Sequence, residues 1–284
     1  MMKWKRRFTM NDAKAFREIC NQRIAEIDPD GTAALALSGG TDSVTVLFAM
    51  LDTGRHPRCY TFYMDGIISV DLKSSRKLCR DFGLELMEVP LPSDDDGIIE
   101  DIRTVIPYCH IIKKTMVQCM IPWLHLYPSM IEKHIITGIG GDDLYCTQRK
   151  LQVAFHRGGD EAVAKYRKPY TDDLNFSAGN IQRYAAKFEK VNTDFYNTDS
   201  IFSWMNQFSL DCINKPIMKA PSVFAYEDYY KRGAYYRDQT EHSYQVNSKL
   251  RDCHDRLLKS KYNKAGHKAV IGLYNEIARE VMRQ

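Results

Sequence analysis

The sequence has 284 residues, enough to bury a substantial core, so we expect one large domain or two closely packed ones. A formal net charge of +4 suits an enzyme with anionic ligands and does not require nucleic acid. The eight cysteines include no Cys-x-x-Cys pair, which disfavours zinc, iron–sulfur and redox sites. No apolar run has the length of a membrane span and no signal core follows the basic start, so we expect a soluble, cytoplasmic protein without a membrane partner.

The first elements are a helix, a strand, a tight loop and a second helix. Apolar spacing predicts a helix over 10–27, and the apolar run from Ala33 ends in Ser-Gly-Gly-Thr-Asp-Ser at 38–43, before a buried helix over 43–52. The glycines allow a tight turn and close approach of a ligand to the backbone. Amides at a helix start bind anions, helped by the helix dipole. We therefore interpret this loop as a phosphate site.

The pattern Ser-Gly-Gly-x-Asp-Ser resembles the pyrophosphate loop (PP-loop) of the ATP pyrophosphatase superfamily. The resemblance implies that residues 38–43 hold the phosphates of ATP. The lysine-bearing phosphate loop Gly-x-x-x-x-Gly-Lys-Ser/Thr is absent, and so is a clean Gly-x-Gly-x-x-Gly. The sequence thus disfavours the common kinase and dehydrogenase sites.

Strands and helices continue to alternate up to about residue 137. We predict strands at 59–64, 84–89 and 134–137, and helices at 70–82, 97–106 and 110–131. This alternation predicts an α/β fold, with a Rossmann-like parallel sheet and helices on both faces. The acids at 94–96 resemble a metal site, but we favour a solvated helix cap, which is the more common role before a helix.

A second glycine-rich loop, Gly-Ile-Gly-Gly-Asp-Asp-Leu-Tyr at 138–145, follows the fourth strand. Ligands of open parallel sheets collect at the edge where the strands end, so Asp42 and Asp142 are expected at the same edge on different loops. Two carboxylates facing a triphosphate are ligands that Mg²⁺ takes, and the metal would neutralise departing pyrophosphate. Capping of the following helix is the alternative role for Asp142, and both roles are compatible.

From about residue 150 the composition shifts to Lys, Arg, Tyr and Asn, and the clear patterns are helical, including a last helix over 267–282. We predict a PP-loop ATP-binding α/β domain at 1–150 and a mostly helical C-terminal lobe at 151–284, packed as one unit with it and completing the active site. The aromatic and basic segment 229–237 would suit a nucleic acid, but half-buried tyrosines on a helix are the more common meaning. Nucleic acid is therefore a partner that we do not favour.

Together the motifs resemble the synthetase domain of the asparagine synthetase family, which also contains β-lactam-forming and peptide-cyclising enzymes. The family pattern Leu-Ser-Gly-Gly-x-Asp-Ser is similar to residues 37–43, and Gly-x-Gly-x-Asp-Glu-Leu-Phe is similar to residues 138–145. The resemblance implies an adenine nucleotide alpha hydrolase-like fold. It covers most of the chain in order and weakens beyond residue 150.

The resemblance also implies roles for single residues. Asp42 and Asp142 would bind Mg²⁺. Lys264, in Lys-Ala-Gly-His before the last helix, would be the catalytic lysine that stabilises charge on the α-phosphate, the alternative being an exposed lysine near a helix start. The remaining cofactor-binding residues would hold pyrophosphate on the loops and adenine on the second strand: Leu37, Ser38, Gly39, Gly40, Thr41, Ser43, Phe62, Tyr63, Met64, Gly138, Gly140 and Gly141.

Three features depart from asparagine synthetases. We expect no glutaminase domain before the first loop, so ammonia or a free amine would be the nucleophile unless a separate glutaminase is a partner. Ile139 replaces a Glu and cannot accept a proton or orient an amine, which favours a different substrate. Asp143 stands where the family has a second Glu. The segment 219–221, Lys-Ala-Pro, weakly resembles the family's Arg-x-Pro-Phe, and no role is assigned to it.

We predict an ATP-dependent, AMP-forming ligase of the amide-forming type, with ATP and Mg²⁺ as cofactors. It would adenylate an acceptor carboxylate, or an amide or base oxygen, release pyrophosphate and transfer the acceptor to an amine or ammonia. One alternative is a nucleotide- or tRNA-modifying enzyme, because Thr-Gly-x-x-x-Asp-Asp at 137–143 also resembles tRNA lysidine synthetases. The other is a non-catalytic ATP- or AMP-binding protein, because Ile139 replaces Glu.

Overall fold

The computed structural model describes residues 7–109, 112–147, 149–172, 177–233, 235 and 244–283. Five strands form one parallel sheet: β1 Ala34–Ala36, β2 Cys59–Met64, β3 Leu86–Leu91, β4 His134–Thr137 and β5 Val191–Asp194. Their order across the sheet is β3-β2-β1-β4-β5. The predicted α/β class with a Rossmann-like parallel sheet is confirmed.

The helices account for most of the chain. Within the described residues they are α1 Met10–Ile27, α2 Thr41–Asp52, α3 Val70–Phe82, α4 Asp95–Val105, α5 Lys114–Ser129, α6 Gly141–Leu144, α7 Arg149–Asp172 with a kink at Gly159, α8 Ser177–Ala186, α9 Asp199–Met205, α10 Leu210–Asn214, α11 Ala220–Ala225, α12 Glu227–Gly233, α13 Tyr244–Asn247, α14 Leu250–Tyr262 and α15 His267–Val281. A short 3-10 turn at Ile106–Tyr108 follows α4. None of the helices in this described part is both long and apolar enough to cross a membrane.

The sheet separates two hydrophobic cores. Side chains of a strand alternate between its two faces, so Leu35 and its neighbour Ala34 point into different cores. Leu35 packs in the core that contains Phe16 of α1 and Phe48 of α2. Ala34 packs in the core that contains Tyr274 of α15. Helices thus cover both faces, as predicted, and the central strands β1, β2 and β4 are mostly buried.

Most element boundaries agree with the sequence-based ones to within a few residues. The bounds of α1, α3, β2 and β4 match the prediction, whereas β3 runs over 86–91 and not 84–89. The backbone of Leu84 still bonds to α3, through its N–H and the carbonyl of Cys79, so the strand starts later. It also continues through Pro90, which an edge strand tolerates because one side of its ladder is unpaired.

The two helices on either side of residue 110 have other bounds than predicted, and the second of them is shorter. They span 95–105 and 114–129 in place of 97–106 and 110–131, and residues 110–111 lie outside the described part. Asp94 is the N-cap of α4, and its side chain accepts a hydrogen bond of 2.8 Å from the backbone N–H of Gly97. The interpretation of the acids at 94–96 as a helix cap is therefore confirmed at Asp94.

The fifth strand was not predicted. β5 is only four residues long, and its sequence Val-Asn-Thr-Asp is polar and lies where the composition indicated helices. It pairs in parallel with β4, with Val191 opposite His134 and Asp194 opposite Thr137. The sheet therefore takes strands from both sides of residue 150, while the rest of the described chain beyond that residue is helical or irregular.

The strand order places a crevice between β1 and β4. The chain moves outward from β1 to β2 and β3, then returns to place β4 on the other side of β1. Such a switch point opens a space at the carboxyl ends of the two central strands. The two glycine-rich loops, after β1 and after β4, both begin there.

Candidate functional site

The first loop joins β1 to α2, and its conformation depends on glycine and hydroxyl groups. Gly39 has a φ of +70°, and a Cβ added there would overlap Ser74. The hydroxyl of Ser43 accepts from the backbone N–H of Ser38 at 3.2 Å and donates to the carbonyl of Gly40 at 3.1 Å. These bonds fold the loop over the start of α2, so that the positive end of the helix dipole faces it.

The second loop packs directly against the first because its glycines carry no side chains at the points of contact. A Cβ on Gly138 would lie 2.8 Å from the backbone N of Ser43, and one on Gly141 would lie 2.5 Å from Oδ1 of Asp42. Gly140 has a φ of +93°, which allows the sharp turn into α6. The glycines of the second loop therefore set how close the two predicted carboxylates come.

The two carboxylates meet at one lysine ammonium. Nζ of Lys219 lies 2.6 Å from Oδ2 of Asp42 and 2.6 Å from Oδ1 of Asp142. The Lys219 side chain is 1% exposed, compared with 18% for Asp42 and 56% for Asp142. The lysine thus reaches the carboxylates from the protein interior, and Asp142 borders solvent.

Backbone and aromatic contacts hold Lys219 in place. Its backbone lies in the left-handed region, with φ 58° and ψ 39°, which is uncommon outside glycine. Its N–H donates to Oδ1 of Asn214 at 3.2 Å, and Nδ2 of Asn214 donates to the carbonyl of Tyr145 at 2.8 Å. Nζ lies 5.8 Å from the centre of the Tyr145 ring. The segment before α11 and the second loop are therefore one connected unit.

The electrostatics of the cluster are dominated by burial and by mutual charge. Burial raises the pKa of Asp42 to about 7, although Lys219 opposes the shift. The Lys219 ammonium lowers the pKa of Asp142, against the effect of burial. Burial also lowers the pKa of Lys219, but the two carboxylates raise it by more, so the ammonium stays charged at neutral pH. Oδ1 of Asp42 is buried and has no hydrogen-bond partner within the described residues.

The residues predicted for adenine lie beside the first loop. The backbone N–H of Leu37 donates to the carbonyl of Tyr60 at 2.8 Å, near the start of β2, so residues 62–64 of β2 extend beyond the end of β1, where the first loop begins. Phe62 and Tyr63 at the end of β2 are half-buried, and Met64 is buried. The loop residues predicted to hold pyrophosphate and metal are gathered at the same edge: Ser38, Gly39, Gly40, Thr41, Asp42, Ser43, Gly138, Gly140, Gly141 and Asp142.

Lys264 is not brought into this cluster. It is exposed in the connection between α14 and α15, and these helices pack in the core on the other face of the sheet from α1 and α2. Within the described chain no hydrogen bond or ion pair of its side chain is found. The cation that contacts both carboxylates is Lys219, which lies in the Lys-Ala-Pro segment whose weak resemblance carried no assigned role.

A buried polar pair lies next to the second loop on the β5 side. The hydroxyl of Thr137 donates to Oδ1 of Asp194 at 2.9 Å, and burial raises the pKa of Asp194 to about 6. The backbone N–H of Ile139 reaches the same hydroxyl at 3.4 Å, while its side chain packs against the second core. Sequence reasoning missed Asp194 because it missed β5.

The geometry limits how a metal could be held. Among the described residues, no group of three or more His, Cys, Asp or Glu side chains is placed to bind a metal ion. Two carboxylates converging on one position, with an unpaired buried oxygen on Asp42, fit a cation that takes its other ligands from phosphate and water. The protein side of the site is therefore a pair of carboxylates and not a complete metal cage.

A parallel sheet with two glycine-rich loops at its switch point defines an α/β protein of the nucleotide-binding type. The family model of asparagine synthase matches residues 25–252, which is most of the chain. The chain therefore belongs to the asparagine synthase family, and so to the ATP pyrophosphatase class. A search of curated proteins gave no match. The matched range contains both loops and Lys219, whereas Lys264 lies beyond it.

Proposed function

We propose that this protein is an ATP-dependent, AMP-forming ligase that joins an acceptor to an amine or ammonia. The observation that supports it best is the convergence of the two loops, which places Asp42 and Asp142 on one cation position beside the first turn of α2. Membership of the asparagine synthase family makes ATP the expected nucleotide. Phosphates would lie on the loop at 38–43, and adenine would lie against the backbone at 62–64.

In the first step an oxygen of the acceptor carboxylate bonds to the α-phosphorus of ATP. The bond from that phosphorus to the oxygen bridging to the β-phosphate breaks, and pyrophosphate leaves. In the second step the amine nitrogen bonds to the acyl carbon, loses a proton, and AMP leaves as the acyl carbon–oxygen bond breaks. The loops would align the reactants and stabilise developing charge without a covalent intermediate on the protein.

Asp42 and Asp142 would hold Mg²⁺, which when bound would neutralise charge on pyrophosphate. The donor chemistry fits, because carboxylates are the ligands that this ion takes from proteins, together with phosphate and water. Lys219 presently fills the shared position and would have to shift. Lys264 remains a proposed contributor to charge stabilisation at the α-phosphate, although its side chain is exposed in the connection between α14 and α15.

The acceptor would bind between the second loop and the helices that follow β5. At this place the side chain of Ile139 is apolar, so the residue presents only backbone polar groups, whereas asparagine synthetases have a Glu. A different acceptor or amine from that of asparagine synthetases is therefore part of the proposal. The small molecules are an acceptor and an amine donor, and a separate glutaminase would be a source of ammonia.

The test is ATP-dependent release of pyrophosphate with a panel of carboxylic acids, amides and nucleosides, with ammonia or amines present. We expect release to depend on one acceptor class, and Asp42→Asn to reduce it at least ~100-fold, because loss of a charged ligand removes several kcal/mol of charge stabilisation. Asp96→Asn, at an exposed acid in the first turn of α4, is the matched control and should leave the rate unchanged.

Pyrophosphate that stays at background with every acceptor, while ATP still binds, would contradict the ligase and favour a protein that only binds ATP or AMP. Release that needs a nucleoside or an RNA would favour a nucleotide-modifying enzyme. An Asp42→Asn protein with wild-type turnover would contradict the role of this carboxylate.

A further inference from the structure

We propose that Lys219 acts as a tethered counter-ion: in the free protein its ammonium occupies the cation position shared by Asp42 and Asp142 and competes there with a divalent metal ion. The metal would then bind only together with a phosphate group, which would replace the carboxylates as the partner of the ammonium. This inference rests on the proposed nucleotide site and does not depend on which bond the enzyme forms.

The first argument is space. Nζ of Lys219 lies at hydrogen-bond distance, 2.6 Å, from one oxygen of each carboxylate. A magnesium ion bridging the same two oxygens needs ligand distances of about 2.0–2.1 Å, so it would occupy the volume that the ammonium fills. The two cations therefore cannot bridge the carboxylates at the same time.

The second argument is charge. When both carboxylates are ionised, they and the ammonium leave the cluster with one formal negative charge, and the nearby Asp143 carboxylate adds to the negative field at Asp42. Removal of the ammonium without replacement would leave the mostly buried Asp42 carboxylate facing that of Asp142 without a counter-charge, which is costly. The lysine thus stabilises the free protein, and a metal has to displace a bound cation rather than fill an open site.

The third argument is where the ammonium goes when it is displaced. Lys219 is 1% exposed, and its backbone is fixed by Asn214, so a short swing of the side chain does not bring the charge into bulk water. Asp42 itself belongs to the first turn of α2, next to the loop at 38–43. If the Lys219 side chain rotates away from the carboxylates, an anionic phosphate bound on that loop would pair with its ammonium. Binding of phosphate would therefore release the carboxylates for the metal.

The test measures Mn²⁺ affinity by electron paramagnetic resonance, with no nucleotide present. We expect Lys219→Met to bind Mn²⁺ at least ~10-fold more tightly than the wild type, since the competing cation is gone. Lys215→Met, at an exposed lysine of the same segment that pairs only with Asp211 in the described structure, is the matched control and should behave as the wild type. Equal affinities in wild type and Lys219→Met, or no binding by either, would overturn the proposal.

A second measurement keeps the test valid if Lys219→Met does not fold. In the wild-type protein, added pyrophosphate should raise Mn²⁺ affinity at least ~10-fold above that of pyrophosphate in buffer, and Asp142→Asn should abolish this gain. Tight Mn²⁺ binding by the wild type without any phosphate would overturn the proposal. Failure of the ligase assay with these metal results intact would count against the proposed reaction alone.

Discussion

The close approach of the two glycine-rich loops depends on the absence of a single Cβ atom, at Gly141. Gly141 faces the carboxylate of Asp42, and a Cβ there would lie 2.5 Å from Oδ1. That contact is well inside van der Waals separation, so the carboxylate would have to rotate away from Lys219. The site thus requires glycine at 141 for space and not for an unusual backbone angle, because the position lacks a positive φ.

Gly141→Ala should therefore lower ATP affinity at least ~10-fold and cost about 1–3 kcal/mol of unfolding free energy, the range for overpacking a filled site. Calorimetric titration with Mg-ATP and urea unfolding measure the two effects. The matched control is Gly272→Ala in α15, where nothing lies within 4 Å of an added Cβ. It should keep ATP affinity and gain up to ~1 kcal/mol, because alanine favours a helix. A Gly141→Ala protein that binds ATP normally would contradict the close packing of the loops.

The parts of the candidate site that form continuous motifs could be predicted from the sequence. A residue that joins the site from a distant part of the chain could not. The loops at 38–43 and 138–145 are continuous segments, so their chemistry can be inferred directly from their residue types. Lys219 lies 177 positions after Asp42 and 77 after Asp142. No rule of residue spacing predicts a contact across such sequence separations. The weak resemblance of the Lys-Ala-Pro segment does not indicate the direction of the lysine side chain either. Lys264 stays a prediction, since the motif that suggested it lies outside the matched range.

At the scale of elements, one arginine ties the helix of the first loop to the C-terminal helices. Nη2 of Arg17 lies 2.5 Å from Oδ1 of Asp52, the last residue of α2. Nη1 of the same guanidinium lies 2.9 Å from Oδ1 of Asp228 on α12. Asn21 of α1 also donates to Asp52, at 2.6 Å. α1 is therefore the connector that holds α2 against the segment carrying Lys219.

Asp52→Ala should destabilise the protein by about 2–3 kcal/mol, because it leaves Arg17 and Asn21 without their partly buried acceptor. Chemical unfolding monitored by circular dichroism measures this loss. Asp211→Ala is the control: its pair with Lys215 is a 3.1 Å contact between exposed side chains and should matter by less than ~0.5 kcal/mol. Equal, small losses of unfolding free energy in both variants would show that the bonds from α1 to Asp52 do not hold α2 in place.

The fold itself was largely accessible from the sequence, because buried strands and amphipathic helices alternate with clear turns. The failure at β5 has a physical cause. An edge strand of four residues needs only one partner, so it carries a polar sequence and an exposed valine at 191. Its position depends on pairing with β4, which is a tertiary contact. Local patterns cannot reveal a strand whose stability comes from its neighbour.

At the scale of the whole molecule, two buried titratable groups far apart in the chain respond differently to acid. In the second core His254 of α14 is buried, with Nδ1 3.2 Å from the hydroxyl of Tyr274 and 3.4 Å from Nε2 of Gln118. Burial, with a smaller effect of Lys114, lowers the pKa of His254 from 6.5 to about 4. Near the site, burial raises the pKa of Asp194 to about 6. These two groups act on stability with opposite signs.

Between pH 6.5 and about 4 the unfolded chain protonates His254 and the folded protein does not, so stability falls as the pH drops through this window. For Asp194 the folded protein takes up the proton first, below about pH 6, which adds stability as the pH falls. His254→Gln should remove only the first effect. The wild type should then lose up to ~1.4 kcal/mol per pH unit relative to the variant between pH 6 and 4.5. Urea unfolding at four pH values tests this, and parallel curves would contradict a neutral buried histidine.

The position of Lys219 late in the chain also has a consequence for protein synthesis. Asp42 and Asp142 emerge from the ribosome before the residue that neutralises them, and β5 emerges between the second loop and that lysine. A nascent chain that ends just after the second loop contains four of the five strands and both Asp42 and Asp142, without their counter-charge. The pairing of both carboxylates with this ammonium therefore has to wait until the segment that precedes α11 has been synthesised.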